Sequence, residues 1–438
     1  MNPAPNESRA LPRPIATAAW HSLAWLVSAN AIGVMLAVML LLPRLNLILG
    51  EWTYGRWMPV HMNLQLYGWM SLPLVAFLFH VYGVDRGAAA KWCRPMLWVW
   101  SAALAAGALT WLAGRSSGKL FLDWTGYSRV LFPLALVALW LVLARALASD
   151  WRRSANKAFT ARSTKLIGLA LLLLVPVLIY IAASPNLYPP INPDSGGPTA
   201  ASQLESTLVV IAILLLLPFG LTQRKAGLSR TMTLAWIIFA AECVLCIGMG
   251  RANVSHHRPM QYISLGSLLV WLPLTPAYYD AFAWHNNTRR WRIAFMWWWA
   301  ALLLTGWCMF LPGVLDHFKF TDGLVAHSLL AMAGFTSSLL IFVLVQLLGD
   351  EGWIFNGTVS FYAWQISVLA YVALFLGAGW IEGNNPAFTM APGILRDIFY
   401  WLRVVIGVAM LLASAEWLMH ASALLHEPAA TAMEGGAI

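Results

Sequence analysis

About twelve runs of roughly twenty residues, nearly free of charge, divide this chain. Coiled as helices, runs of that length match the thickness of a bilayer's hydrocarbon core. They show no alternation of polar and apolar residues, which argues against a transmembrane barrel. Only 10% of the 438 residues are charged and 60% are hydrophobic, more apolar surface than a soluble core of this size needs. The expected fold is an all-α polytopic membrane protein. Its spans are expected at 20–43, 58–82, 92–114, 128–148, 165–183, 203–222, 229–252, 260–284, 292–313, 321–348, 357–381 and 394–424. A tail over 1–19, one membrane domain over 20–425 and a flexible tail over 426–438 complete the expected division. The first residues carry Arg9, Arg13 and several prolines but no short apolar stretch before a small-residue cleavage site, so no cleavable signal is expected.

Charge sets the expected orientation. With the N-terminus in the cytoplasm, the inner side holds Arg9 and Arg13, then Arg86, Lys91 and Arg94, then Arg145, Arg152, Arg153, Lys157, Arg162 and Lys165. Arg224, Lys225 and Arg230, with Arg289, Arg290 and Arg292, complete it. That makes 17 of the 27 Lys and Arg, as the positive-inside bias requires. The net charge of +9 is accounted for in this way and calls for no nucleic acid. An even span count returns the C-terminus to the same side. The longest outer loop, 184–202, is rich in Pro and Gly and has no Lys or Arg, which marks an irregular lid or docking surface. Cys243 and Cys246 lie one turn apart in an apolar run and read as small core residues rather than as a redox pair.

On this topology five of the ten histidines share the outer side: His61, the adjacent His256 and His257, His317, and His327 about two turns into its span. His21, His80, His285, His420 and His426 fall near the inner side, where a snorkelling or capping imidazole is ordinary. A histidine inside an apolar helix is costly without a partner, and neutral imidazole is the commonest metal ligand. Neighbouring residues on a regular helix point about 100° apart. His256 and His257 can therefore converge only at a distorted helix end, which Asn253, Ser255 and Pro259 favour.

Three short blocks resemble subunit I of the haem-copper oxidases, in particular the cbb3-type oxidases and then the nitric oxide reductases. They are "RWMPVHMNLQLYGW", "SHHRPMQYISLGSLLVWLP" and "DHFKFTDGLVAHSLLAMAGF". The resemblance implies haem b, with His61 as ligand to a low-spin haem and His327 as proximal ligand to a high-spin haem. It also implies copper or non-haem iron at His256 and His257, and a propionate-binding side that includes Arg258, His317, Asp322 and Arg396. A bacterial inner membrane and a cytochrome c-type or other electron donor on the outer side are implied as well.

The chain departs from that pattern in three places. Leu329 stands where the family has a second haem-ligating histidine. The span expected at 203–222 has no histidine to complete the metal set but does have Glu205, which with His256 and His257 makes a two-histidine, one-carboxylate group suited to non-haem Fe(II). Gly250 stands where the oxidases carry a redox tyrosine. Glu242 precedes His256 by fourteen residues, nearly one face on a continuous helix, and is the proton-relay candidate; with Asp280 it makes a sparse set for a pump. Two readings stand. One is a respiratory oxidoreductase subunit that transfers electrons and reduces O2 or NO at a haem/metal site. The other is a paralogue without turnover that serves as a one-haem conduit, gas sensor or scaffold.

Overall fold

The structure, a computed structural model, describes residues 13–86, 88–119, 121–153, 159–225 and 229–426. Arg9 and Lys157, and most of both expected tails, lie outside the described residues. The helices are α1 (Arg13–Leu41), α2 (Leu45–Ile48), α3 (Tyr54–Asn63), α4 (Leu72–Tyr82), α5 (Cys93–Leu112), α6 (Ser128–Arg153) and α7 (Phe159–Ala182). Then follow α8 (Ala200–Leu221), α9 (Ser229–Met249), α10 (Pro259–Gly266), α11 (Trp271–Tyr279) and α12 (Arg289–Phe310). The last are α13 (Val314–Phe318), α14 (Asp322–Leu329), α15 (Ser337–Leu348), α16 (Thr358–Asn384) and α17 (Ile394–His426). Among the described residues the only extended pairings are two isolated bridges, so the all-α expectation holds.

Among the described residues, eleven helical stretches are long and apolar enough to cross a membrane. The twelfth run, expected at 260–284, is not among them. It is α10, a 3-10 turn (Ser267–Val270) and α11 in succession. Pro273 and Pro276 remove backbone donors here, and Gly266 backs onto the Trp307 indole, which a Cβ would approach to 3.1 Å. The run still follows the length of α8: Gln261 accepts from the Ala200 N–H at 2.9 Å, and the Tyr278 hydroxyl donates to the Leu215 carbonyl at 2.7 Å. α1 begins at Arg13, earlier than expected, and burials at Ile15, Ala18 and Ala19 explain why the helix extends that far. Trp20 donates to Ser422 at 2.9 Å and Arg396 reaches the Leu40 carbonyl at 3.4 Å, so α1 and α17 lie antiparallel along their lengths. The start of α1 and the end of α17 therefore lie at one end of the bundle.

Two spans contain a seven-residue π-helical segment, Leu64–Met70 between α3 and α4 and Leu330–Thr336 between α14 and α15. Each begins three residues after a histidine, His61 in one and His327 in the other. The return from π to α spacing leaves a carbonyl without its usual donor. Ser71 Oγ donates to the Leu66 carbonyl and Ser337 Oγ to the Met332 carbonyl, both at 2.9 Å. Gly68 and Gly334 occupy the same place in the two segments, and each backs directly onto a tryptophan, Trp25 of α1 and Trp298 of α12. Trp69 donates to Ser337 Oγ at 2.8 Å and ties the two π segments together.

A Cβ on Gly68 would lie 2.5 Å from Trp25 Cβ, whereas one on Gly248 in α9 would meet open space. Gly68→Ala is expected to destabilise the protein by about 1–3 kcal/mol. Gly248→Ala is expected to be neutral or to stabilise by up to ~1 kcal/mol. Thermal unfolding in detergent checks both, and equal effects would refute this account of the packing.

Candidate functional site

At the end of the bundle where α9 stops and α10 starts, three loops meet. α9 ends at Met249, and Gly250 follows at φ +71°, a left-handed conformation that glycine adopts without strain. The helix therefore stops short of the histidine pair, and Glu242 and His256 share no helix face, contrary to the continuous-helix expectation. Glu242 is instead buried against α11, where Trp271 Nε1 donates to Oε2 at 2.7 Å. From Arg251 to Arg258 the chain is irregular, which lets the two imidazoles lean together with centroids 4.2 Å apart and planes at 35°.

The pair converges on carboxylates other than Glu205. Asp194, His256 and His257 each offer a ligand atom, all within 4.8 Å of one another. Asp194 Oδ2 lies 3.6 Å from His256 Nδ1 and accepts from the Ser255 hydroxyl. Asp316 approaches from the opposite edge, 3.3 Å from His256 Nε2 and 3.5 Å from His257 Nε2. His256 is fully buried; its Nε2 makes no well-aligned hydrogen bond, and the Asp316 carboxylate at 3.3 Å is its charged neighbour. His257 keeps 53% of its side chain exposed, so the cluster opens toward solvent on one side. Burial would raise the Asp316 carboxyl, but the Gly313 N–H, the Lys319 ammonium at 3.1 Å and His256 outweigh it and bring it down to about 2. Lys319 neutralises Asp316 in this way, which leaves Asp194 as the carboxylate available to a cation. The donor set, two imidazoles and one carboxylate, suits Fe(II) or Zn(II) better than copper. Glu205 is elsewhere, paired with Arg251 at 2.8 Å.

Asp194 was not singled out by the sequence because its loop reads only as Pro- and Gly-rich. Side chains pin that loop at both ends. Near its start, buried Lys119 donates to the Ala182 carbonyl at 2.7 Å and to the carbonyls of Ser184 and Leu187, with its ammonium 4.7 Å from the Tyr188 ring. Burial, and then Arg129, lowers the Lys119 pKa. Toward the tip, the Ile191 N–H donates to Asn253 Oδ1 at 3.0 Å and Asn192 Nδ2 lies 3.0 Å from His256 Nδ1.

His61 and His327 lie inside spans and share one design. His61 Nδ1 is 2.8 Å from the Ala29 carbonyl. A carbonyl only accepts, so Nδ1 carries the proton and Nε2 the lone pair. His327 Nδ1 is 3.2 Å from Thr305 Oγ1, whose own proton goes to the Ala301 carbonyl at 2.7 Å, so here too Nδ1 donates and Nε2 keeps the lone pair. An imidazole oriented through an Nδ1–H donor is the usual arrangement of a metal-ligating histidine, so both residues would suit a haem iron as ligands. Gly33 and Gly306 give the rings room: a Cβ would lie 2.8 Å from His61 Cε1 and 3.1 Å from His327 Cε1.

The residues expected on the propionate side are in part brought together. Arg403 Nη1 is 3.9 Å from Asp322 and lies over the rings of Phe375, Phe399 and Tyr400, while the Asp322 N–H donates to Glu382 at 2.6 Å. Arg396 pairs with Asp397 at 2.7 Å and lies over Tyr400. His317 rests on the Trp380 carbonyl at 3.1 Å, and exposed Arg258 caps α10 by its backbone position alone.

Asp194→Asn is expected to lower divalent-metal retention at the histidine pair by about tenfold or more, and Glu205→Gln to leave it unchanged. Dialysis against Zn(II) followed by metal analysis reads both; the opposite ranking would return Glu205 to the site.

No family model matches the sequence, and no curated protein does. Among solved structures, the chain is similar to a heme-copper terminal oxidase dimer studied by cryo-EM, with a TM-score of 0.61 at 13% identity over 95% of this chain and 85% of that one. At that identity the likeness establishes the fold: this is a multi-pass membrane protein with a heme-copper oxidase-like fold.

Proposed function

We propose that this chain is a haem b-binding subunit of a membrane electron-transfer complex, in which His61 and His327 would hold haem iron and Asp194, His256 and His257 would hold a non-haem metal. The observation that carries the reading is the matched orientation of the two imidazoles: each gives its Nδ1 proton to an acceptor on the preceding long helix and keeps the Nε2 lone pair for a metal. Haem in such sites supplies one-electron transfer and, at an iron with an open position, binding of O2 or NO. The protein's own part is to hold the imidazoles in one tautomer, to neutralise charge near Asp322 through Arg403, and to bring a carboxylate to the histidine pair. A bacterial inner membrane, and a cytochrome c-type donor docking at the His256 end, are parts of this proposal drawn from the resemblance to the cbb3-type oxidases and nitric oxide reductases.

A second reading, electron conduit, sensor or scaffold without turnover, draws support from specific features. His257 is half exposed, Glu205 is engaged by Arg251, and Glu242 lies on a helix that ends before the histidine pair. An exposed, carboxylate-bearing metal site is a poor place to protect a reactive oxygen species from water.

The protein purified with haem supplied during expression is expected to give a pyridine haemochrome of the b type, and His61→Ala and His327→Ala are each expected to lose one haem. Wild-type protein without haem would end every haem-binding reading and leave only the scaffold. Haem retained by both variants would reassign the ligands. NO and O2 consumption by the intact complex then separates turnover from its absence.

A further inference from the structure

We propose that the groove between α11 and α12 is a binding site for one anionic glycerophospholipid, with the phosphate on Arg292 and one acyl chain along the groove. Leu272, Pro276 and Asp280 line one side and Arg292, Met296 and Ala300 the other, around a volume of about 350 Å³. Within each row the residues are four apart in sequence, so each row is a single stripe on its helix. From Arg292 to Ala300 the stripe runs about 12 Å, most of the ~15 Å depth of one leaflet's hydrocarbon. Behind the groove its walls are fixed to each other. Trp299 Nε1 donates to Thr275 Oγ1 at 3.1 Å, and the Tyr279 and Phe295 rings pack with centroids 5.2 Å apart. Ile293 and Trp297 at the rim are exposed, the kind of surface a span turns toward acyl chains.

Polarity is confined to one end, as a lipid requires. Arg292 Nη1 and Asp280 Oδ1 are 3.8 Å apart, beyond hydrogen-bond reach. Among the described residues Arg292 makes no hydrogen bond, although its side chain is only 25% exposed. Its guanidinium therefore keeps its donor fork, which matches two phosphate oxygens at once. The next cation on α12 is differently placed: Arg290 is drawn to the Asn356 carbonyl at 3.4 Å and the Thr358 hydroxyl at 3.5 Å. Lys225 brings a further ammonium to the mouth of the groove, where it donates to the Asp280 carbonyl at 3.2 Å. Two cations beside one carboxylate leave a positive mouth, which favours a headgroup of net negative charge over a zwitterionic one.

The test uses full-length protein stripped of lipid in detergent, titrated with phosphatidylglycerol or phosphatidylcholine and followed by native mass spectrometry. One phosphatidylglycerol is expected to bind about tenfold more tightly than phosphatidylcholine. Arg292→Gln is expected to abolish that preference and Arg290→Gln to leave it unchanged. Ala300→Trp, which fills the groove, is expected to weaken both lipids by about tenfold. Equal losses from Arg292→Gln and Arg290→Gln would mean interfacial charge without a site and would overturn the proposal. Phosphatidylglycerol held as tightly after Ala300→Trp would overturn it as well. A lipid-free dimer that Ala300→Trp dissociates would give the groove to a second copy of the chain instead. If Ala300→Trp fails to fold, the two arginine variants decide alone.

Discussion

In hydrocarbon no water is available to satisfy a stray backbone group, and each one left unpaired costs several kcal/mol. A π segment in a membrane span therefore needs a local remedy, and Ser71 and Ser337 provide it from their own helices. The packing beside His61 and His327 is built around these segments. The extra residue in the π turn shifts the helix azimuth, brings Gly68 and Gly334 against tryptophans, and leaves the preceding histidine on a face that packs against a long neighbouring helix.

The charged loops at the His256 end obey the opposite constraint. There water and ions are at hand, and the chain can afford an irregular backbone so long as side chains tie it down. Lys119 and Asn253 hold the 183–199 loop, Lys319 links it to the 311–321 loop through the Asp194 carbonyl at 3.2 Å, and the histidine pair sits where those loops meet. A divalent cation at Asp194, His256 and His257 would fasten together chain segments far apart in sequence.

Much of the fold was legible because apolar run length and the near-absence of charge are strong signals. The run with Pro273 and Pro276 was the exception, since composition marks a span but does not say whether its helix is continuous. The histidines were also legible, since an imidazole in an apolar run stands out. What the sequence hid was geometry carried by backbone rather than by side chain. Gly250 ends α9, so the fourteen-residue spacing from Glu242 to His256 has no helical meaning. Asp194 sits in a loop whose composition says only that it is irregular, and its role appears only once that loop has been folded back onto Asn253.

The Ser337 hydroxyl gives its proton to the Met332 carbonyl and receives one from Trp69, so it cannot rotate without breaking one of the two bonds. The spans that carry His61 and His327 are in consequence geared together at one atom. A shift of one span along its axis must either carry the other span with it or give up a hydrogen bond where no water can replace it. The surroundings of His61 and His327 then behave mechanically as a pair.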